Sequence, residues 1–241
     1  MRIFAKTDKG KVRTINQDAY AASILPDGAA LAVVCDGMGG SIAGDIASKT
    51  AVEVISQYII NAYNASLDSE SLLNLIKNAI ISANIDVYDL TVKDSVLSGM
   101  GTTAVVVIAK KDFAVICNVG DSRAYVLGDT ITQITRDHSV VQSLVESGKL
   151  TPQEALVHPK KNVITRALGV EENVLPDVYN VQISEGDMIL LCTDGLSNYI
   201  QPQIVFDIVK SNDLNKVTEI LIDKANSNGG GDNITAVVVS H

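Results

Sequence analysis

The 241-residue sequence has no tryptophan, and its only other aromatic residues are three Phe and seven Tyr. Its core must therefore be filled mainly by Val, Ile, Leu and Ala, for which a hydrophobic fraction of 46% is sufficient. No apolar run approaches the ~20 residues that a membrane-spanning helix requires, and residues 1–9 are too charged for a signal peptide. These absences predict a soluble, cytoplasmic protein without membrane insertion.

Cysteine and positive charge are scarce as well. The three cysteines, Cys35, Cys117 and Cys192, are odd in number and lie in apolar runs, a pattern typical of buried reduced thiols rather than disulfides. The net charge of −9 argues against nucleic acid as a partner, because a nucleic-acid-binding face is basic. The sequence also lacks linkers, low-complexity tracts and internal repeats, so we expect residues 1–241 to form a single domain. We also expect a monomer.

Two kinds of hydrophobic pattern alternate along the chain. Short runs rich in β-branched residues predict strands, and their short connections favour antiparallel hairpins. Apolar residues recurring every three or four positions predict two early helices and two late ones, with Ser69 and Ser71 as candidate caps of the second helix. This layout predicts an α+β fold with two sheets between outer helices. The predicted strands are 3–6, 19–24, 29–36, 104–109, 113–119, 124–127, 131–134, 178–183, 188–192 and 234–239; the helices start near 43 and 69 and cover 203–210 and 214–225.

Residues 139–169 contain only short helical patterns, and we expect this segment on the rim rather than in the core. It includes a His158-Pro159 break and two adjacent lysines, Lys160 and Lys161, which we expect to be a solvated surface pair. No histidine has a partner at metal-ligand spacing. We therefore expect His138 to brace its own loop and His158 to shape this segment.

Acidic residues stand at the ends of several predicted strands. Asp36 ends an apolar run and is followed by three glycines within four positions. A carboxylate at the mouth of a buried strand is costly unless a cation neutralises it. A single Asp-Gly pair is a common turn signal, but several acids at converging strand ends would repel one another unless hard cations lay between them. The other acids of this kind are Asp18, Asp121, Asp194 and Asp232.

Oxygen ligands of this type indicate a particular metal chemistry. They suit Mg²⁺ or Mn²⁺, whereas zinc is disfavoured because no Cys/His cluster has its ligand spacing. Paired divalent ions hold a hydroxide at neutral pH and clamp a phosphoryl oxygen during in-line attack. The remaining phosphate oxygens need a cationic side chain, and Arg13 offers a bidentate fork. The residues therefore predict metal-assisted hydrolysis of a phosphate ester.

Short motifs surround these residues in a fixed order. They are Gly10-x-Val-Arg13-x-x-Asn16-Gln17-Asp18, Asp36-Gly-Met-Gly-Gly40 with Ala43-Gly44, Gly101-Thr-Thr, Val119-Gly-Asp121-Ser-Arg123, Asp137-His138-Ser139, Ile164-Thr-Arg166-Ala-Leu-Gly169, Thr193-Asp194-Gly195-Leu and Gly231-Asp232-Asn233-Ile-Thr235. Any one motif is weak, but the ordered set covers nearly the whole chain. It resembles the bacterial branch of the protein phosphatase 2C-type (PPM) metal-dependent Ser/Thr phosphatases.

The resemblance implies a four-layer α-β-β-α sandwich with two mainly antiparallel sheets and a flap insertion at about 139–169. It also implies hydrolysis of phosphoserine and phosphothreonine esters by a metal-bound water or hydroxide at two Mn²⁺ or Mg²⁺ ions. By matching position, Asp36 would bridge the two ions and Gly37 would lend its carbonyl. Asp194 and Asp232 would complete the ligands.

Three further roles follow from the resemblance alone. Asp18 would hold metal-bound water, Asp121 would help bind a possible third ion, and Arg13 would bind the substrate phosphate. The implied partners are phosphorylated proteins, in particular a cognate Ser/Thr kinase and its substrates.

One position departs from the family pattern. Bacterial members usually carry histidine directly after Asp-Gly-Met-Gly-Gly, where this chain has Ser41. Serine has no accessible pKa and cannot act as a general acid. We expect no more than a supporting hydrogen bond or a helix cap from Ser41, so protonation of the leaving group would fall to metal-bound water.

Three other interpretations compete with this one. Cys117 and Arg123 have the Cys-x5-Arg spacing of a thiolate phosphatase loop, but Cys117 lies in a β-run, whereas that chemistry needs a helix N-terminus. An inactive phosphoprotein-binding module on the same fold would be expected to have lost a metal-bridging acid, and all of the acids are present. The third alternative is a metal-dependent phosphoesterase for small metabolites. Comparing activity on phosphothreonine peptide with activity on small phosphate esters would separate it from a protein phosphatase.

Overall fold

The computed structural model describes residues 1–240, except for the side chain of Ser41. The described residues form eleven strands in two sheets, and all of the strand pairs are antiparallel. The strands are β1 (Arg2–Asp8), β2 (Asp18–Ile24), β3 (Ala30–Met38), β4 (Gly101–Thr102), β5 (Ala104–Ala109), β6 (Phe113–Val119), β7 (Arg123–Leu127), β8 (Ile131–Gln133), β9 (Asp177–Gln182), β10 (Met188–Cys192) and β11 (Ile234–Ser240).

The strand order mixes distant parts of the chain. The first sheet has the order β1-β11-β10-β7-β8, and the second has the order β2-β3-β5-β6-β9 with the short β4 also paired to β3. The predicted strands are therefore present, although β1 is longer than expected and β3 continues two residues past Asp36. The inner faces of both sheets meet in one apolar layer that includes Val34 and Ile116 from the second sheet and Leu191 and Val237 from the first.

Two long helices cover the outer face of the second sheet. They are α1 (Gly40–Ala62) and α2 (Ser69–Lys93), and they share a buried aliphatic cluster with that sheet. The expectation that Ser69 or Ser71 caps α2 is wrong. The cap is Asp68, whose carboxylate accepts a hydrogen bond from the Ser71 backbone N–H at 2.8 Å, because a carboxylate one residue earlier satisfies that free amide.

The outer face of the first sheet is covered by α6 (Pro202–Ser211) and α7 (Leu214–Ser227). The predicted α+β, four-layer α-β-β-α arrangement is therefore confirmed. Within residues 1–240, no helix is both long and apolar enough to cross a membrane.

One local expectation is wrong, and one short helix was not predicted. The β6 and β7 strands do not form a hairpin, because β6 lies in the second sheet and β7 in the first. Their connection, residues 120–122, carries the chain from one sheet to the other. A short helix, α5 (Asp194–Ser197), follows β10 directly and had no periodic signal because it is only four residues long.

The segment 139–169 is mostly on the rim, as predicted, with two short helices, α3 (Val140–Glu146) and α4 (Pro152–Val157). Its last residues do not fit that prediction. Leu168 is fully buried and exchanges two backbone hydrogen bonds with Thr102, at 2.8 and 3.1 Å. An apolar residue paired to β4 in this way belongs to the core, so the rim excursion ends before 167.

Candidate metal centre

Asp18 and Asp36 face each other across the β2–β3 pair, where they are register partners. Opposite residues of antiparallel strands point to the same face, with Cβ atoms about 4.5–5.5 Å apart. Asp18 is only 6% exposed. Two carboxylates are thus placed side by side at one end of the second sheet, where like charges destabilise the fold unless a cation or a proton intervenes.

The first sheet holds Asp18 from the other side. Thr193, which follows β10, and Thr235 of β11 donate hydroxyl hydrogen bonds to Asp18 Oδ2 at 2.9 and 2.7 Å. Asp18 Oδ1 is buried without a hydrogen-bond partner. One oxygen of this carboxylate is therefore fixed by the opposite sheet, and the other is left for a different ligand.

Asp36 is fixed through its backbone. Its N–H donates to Thr103 Oγ1 at 3.0 Å, and its carbonyl accepts from the Thr103 N–H at 2.9 Å and from Thr102 Oγ1 at 2.9 Å. The hydroxyl oxygens of Thr103 and Ser122 form a hydrogen bond at 2.7 Å. The Gly101-Thr-Thr motif thus links Asp36 to the connection that carries Asp121.

Gly37 lies where two backbone segments meet. A Cβ atom at this position would be 2.0 Å from the Gly44 carbonyl oxygen of α1 and 2.7 Å from the carbonyl oxygen of Gln17. The Gly37 N–H donates to that Gln17 oxygen at 3.1 Å. Only glycine fits here, so α1 can begin immediately beside the strand end that carries Asp36.

Asp194 is the first residue of α5. Its Oδ2 accepts a hydrogen bond from Asn198 Nδ2 at 3.0 Å, whereas its Oδ1 is buried without a hydrogen-bond partner. The helix therefore holds the carboxylate by one oxygen only. Asn198, four residues later, supports Asp194. It could not be identified from the sequence, because the two residues meet only through α5, a helix too short to show a periodic pattern.

Arg13 and Asp232 form an ion pair, with Arg13 Nη2 2.8 Å from Asp232 Oδ2. Asp232 Oδ1 accepts from the Asn233 N–H at 2.8 Å. The Asn233 side chain in turn holds the N-terminal loop, accepting from the Gln17 N–H at 2.8 Å and donating to the Ile15 carbonyl at 2.9 Å. The predicted phosphate-binding residue and one predicted metal ligand are therefore neighbours.

Asp121 lies in the connection between the sheets, next to an ordered ion pair. Asp137 accepts two hydrogen bonds from Arg123, whose Nη2 and Nε lie 2.7 and 2.9 Å from its two oxygens. Arg123 also donates to the Tyr125 hydroxyl at 3.1 Å. This arrangement leaves the Arg123 charge satisfied by Asp137 rather than by Asp121.

Burial raises the pKa of four of these acids, and their neighbours' charges raise it further. The pKa of Asp18 is raised to about 7 by burial, with added repulsion from Asp194 and Asp232. Burial and then the charge of Asp18 place the pKa of Asp36 well above its ordinary value. Burial and then neighbouring acids raise the pKa of Asp121 to about 7 and that of Asp194 to about 6.

Four acids, Asp36, Asp121, Asp194 and Asp232, line one cleft of about 420 Å³ together with Arg13. Asp18 lies opposite Asp36 on β2 but does not line this cleft. Within residues 1–240, no three Asp, Glu, His or Cys side chains converge closely enough to ligate a metal as they stand. The donor chemistry nevertheless fits a hard divalent cation: the groups are oxygens, two of them are buried and unpartnered, and their shared repulsion disappears when a cation neutralises them. The side chains need to converge further to bind it.

Two histidines have the structural roles that we expected. His138 is 6% exposed; its Nδ1 accepts from the Gly120 N–H at 3.0 Å, and its Nε2 lies 3.2 Å from Asp177 Oδ2. Burial lowers the pKa of His138, which is consistent with a neutral ring that braces the loop. His158 Nδ1 accepts from the Lys160 N–H at 3.1 Å within the rim segment.

The thiolate alternative does not fit the structure. Cys117 lies within β6 and is fully buried, and burial raises the pKa of its thiol to about 12, whereas a nucleophilic cysteine needs a lowered pKa. All three cysteines are buried and free. Ser41, whose predicted role was a cap or supporting hydrogen bond, has a side chain outside the described residues, as does the terminal residue His241.

Comparison with known proteins gives consistent matches over nearly the whole chain. Residues 8–221 match the family model described as Protein phosphatase 2C. The serine/threonine phosphatase stp of Listeria welshimeri is 39% identical over 236 residues, 97% of this chain and 93% of that protein. These matches support the phosphatase interpretation rather than a metabolite esterase or an inactive binding module.

Two solved structures are similar as well. The serine/threonine phosphatase Stp1 of Staphylococcus aureus has a TM-score of 0.93 at 34% identity, covering 99% of this chain and 94% of that one. The catalytic domain of the serine/threonine protein phosphatase PstP, in complex with two manganese ions, has a TM-score of 0.86 at 32% identity, covering 98% and 96%.

Proposed function

The chain belongs to the protein phosphatase 2C family of Ser/Thr protein phosphatases, and we propose that its acidic cleft hydrolyses phosphoserine and phosphothreonine esters with bound Mn²⁺ or Mg²⁺. The observation that supports this most directly is that acids from four separate segments line one cleft beside Arg13, with Asp18 paired to one of them, Asp36, on the adjacent strand. Clustered carboxylates repel the negative charge of a phosphate ester unless divalent cations bind among them and neutralise it.

The residues proposed to hold two ions are Asp36, the Gly37 carbonyl, Asp194 and Asp232. Asp121 is proposed to contribute to a third. When bound, such ions acidify water and withdraw charge from the phosphoryl group. Asp232 must leave its ion pair with Arg13 to serve as a ligand. The same change frees the Arg13 guanidinium, so metal loading and exposure of the phosphate-binding fork are coupled in this proposal.

Asp18 is proposed to orient the attacking water. Its Oδ2 is held by Thr193 and Thr235, so its free Oδ1 keeps a fixed direction as an acceptor. A fixed acceptor lowers the entropy that must be lost to bring water into line with the phosphorus atom. Arg13 offers two parallel N–H groups to the phosphate oxygens, and half of its side chain is exposed to solvent at the cleft mouth.

Further proposals concern the setting of this activity. We propose that residues 1–241 act as a single phosphatase domain, which the single apolar layer between the sheets supports. Its flap begins at about 139 and, because Leu168 lies in the core, ends before 167. We also propose that the protein acts in the cytoplasm, in keeping with its three buried free thiols, and that it acts as a monomer. Its substrates are phosphoproteins; a cognate Ser/Thr kinase and that kinase's substrates are the proposed partners.

A phosphopeptide assay with metal titration tests the proposed activity. Phosphothreonine peptide and a small aryl phosphate are compared at increasing Mn²⁺, with chelator and with a thiol-alkylating reagent in parallel. We expect hydrolysis of the peptide to depend on Mn²⁺, to stop with chelator and to survive alkylation. Activity that survives chelation but is lost on alkylation would refute the metal mechanism, and hydrolysis of the aryl phosphate alone would refute protein substrates.

A further inference from the structure

A second cavity lies beside the acidic cleft. It has a volume of about 310 Å³, and it shares Met38 and Ile164 with the cleft. We call it the side groove. Its apolar lining consists of Met38, Ile164, Ala167, Val170, Val174 and Leu175. The side groove is therefore the neighbouring concave surface for a polypeptide whose phosphorylated residue enters the cleft.

The side groove exposes aliphatic side chains that ordinary folding would bury. Leu175 is 66% exposed and Val170 is 51% exposed, and both lie beside a concave surface rather than on a convex one. Water on such a surface is displaced favourably by an apolar group of a partner. The groove thus has the surface chemistry of a subsite for one apolar side chain.

The wall of the side groove is held rigidly by α2. Asn84, which is 1% exposed, accepts from the Gly169 N–H at 2.9 Å and donates to the carbonyls of Glu171 and Glu172 at 3.1 and 3.0 Å. Gly169 has a φ of 80° and leaves no space for a Cβ, which would lie 2.3 Å from a Val87 methyl. A preformed wall loses little entropy when a ligand binds.

The charges around the side groove are unequal. Arg166 is the cationic residue of its lining, and its Nη1 is already bonded to Asp177 at 2.8 Å and to the Leu175 carbonyl at 2.7 Å. Glu171 stands exposed at the rim. Asp177 offsets the charge of Arg166, so the charge left on the groove lining is the negative charge of Glu171. This charge favours a basic residue in the bound segment.

We propose that the side groove selects substrates: it binds an aliphatic side chain of the phosphoprotein segment, close in sequence to the phosphorylated residue and followed or preceded by a basic residue at Glu171. This inference rests on the proposed phosphatase function and adds the sequence context that the enzyme prefers. Discrimination by one buried aliphatic group is typically about 10-fold or more in kcat/KM.

A peptide series tests the apolar preference. The peptides carry one phosphothreonine in a polar background and differ only in the position of a single leucine. With the Mn²⁺-loaded full chain, we expect one leucine position to raise kcat/KM about 10-fold over the all-polar peptide. The Leu175→Ser and Val170→Ser variants should each reduce that ratio toward 1. Val92→Ser is the matched control, because Val92 is 68% exposed on α2, and it should keep the ratio.

The basic preference is tested at the rim. A lysine placed beside the preferred leucine should raise kcat/KM further in the wild type at low salt, and Glu171→Gln should abolish that gain.

The outcomes separate the two proposals. If every phosphothreonine peptide is hydrolysed equally, or if Leu175→Ser keeps the leucine preference, the side groove is not a subsite, although the phosphatase function stands. If the aryl phosphate is hydrolysed but none of the phosphopeptides is, the proposed function fails and the side-groove inference fails with it.

Discussion

Asp18 and Asp36 are direct register partners on adjacent antiparallel strands. Sheets normally place opposite charges or apolar pairs at such positions, since like charges there are destabilising. The first sheet then secures Asp18 with two threonine hydroxyls. The fold therefore maintains an electrostatically unfavourable pair at a defined separation, which is useful only if something positive binds between the acids.

Replacing Asp36 should remove both the repulsion and the activity. We expect Asp36→Asn to lower kcat/KM on phosphopeptide by at least about 10²–10³-fold, the range for loss of a key electrostatic group. Asp89→Asn, which removes an exposed acid paired with Lys93 on α2, is the control and should be neutral. Mn²⁺-dependent turnover that persists in Asp36→Asn would contradict the assignment of Asp36.

The hydroxyl of Thr235 should matter for metal affinity. Thr235→Val keeps the shape of the side chain but removes a donor to Asp18 Oδ2. Asp18, which is proposed to hold metal-bound water, then loses part of its orientation. We expect about 10-fold weaker Mn²⁺ binding by calorimetry, and near-normal binding in Thr235→Ser, which retains the hydroxyl. Equal Mn²⁺ affinity in the wild type and both variants would show that the hydroxyl does not position Asp18.

Arg13 should act mainly on substrate binding. Arg13→Ala removes a group proposed to contact the phosphate, and we expect KM to rise about 10-fold with a smaller change in kcat. Arg13→Lys should recover only part of this, because an ammonium lacks the bidentate fork. Arg2→Ala, at an exposed position on β1, is the control. An unchanged KM in Arg13→Ala would argue against the phosphate role.

The metal-free protein should become less stable as pH rises. Burial raises the pKa of Asp18 and Asp121 to about 7 in the folded state, so between their unfolded values near 4 and about 7 the folded state binds more protons than the unfolded one. The free energy of unfolding therefore falls as pH increases through this window. In chelator, we expect the Tm to drop by at least about 5 °C between pH 5 and pH 8.

His138 has the opposite effect on stability. Burial lowers its pKa in the folded state, so its contribution to the free energy of unfolding grows as pH rises toward 6.5. The informative measurement is thus the difference between the wild type and Asp36→Asn, in which the raised pKa of Asp36 and part of the repulsion on its neighbours are gone. This difference in Tm should shrink toward low pH. A difference that does not change with pH would contradict the raised pKa values.

The layers of the fold were predictable because their signals are periodic. Ile55, Ile59, Ile76 and Ile80 recur at helical spacing and are all buried, and the strand runs between them are apolar. The crossing at 120–122 was not predictable, since a hairpin and a passage between sheets use connections of the same length. Leu168 was wrongly predicted to lie on the rim. Its partner strand, β4, has only two residues and gives no recognisable strand pattern.

The grouping of Asp36, Asp121, Asp194 and Asp232 at one cleft was predictable from their positions at strand ends and from the family resemblance. Their supporting residues were less so. Thr193 and Thr235 stand 42 positions apart in the chain and bind one carboxylate from the opposite sheet. No local pattern encodes such a contact. The Arg13–Asp232 pair likewise depends on how two loops meet, which the sequence does not specify.

The position of β11 has a consequence for how the protein is made. This strand follows all the others in chain order, yet it lies in the interior of the first sheet between β1 and β10. Asp232 precedes it by two residues, and Thr235 lies within it. During synthesis from the N-terminus, the first sheet cannot close until residues 234–240 have left the ribosome. A growing chain thus carries four of the five acids with no completed cleft, and dephosphorylation begins only after β11 has been added to the first sheet.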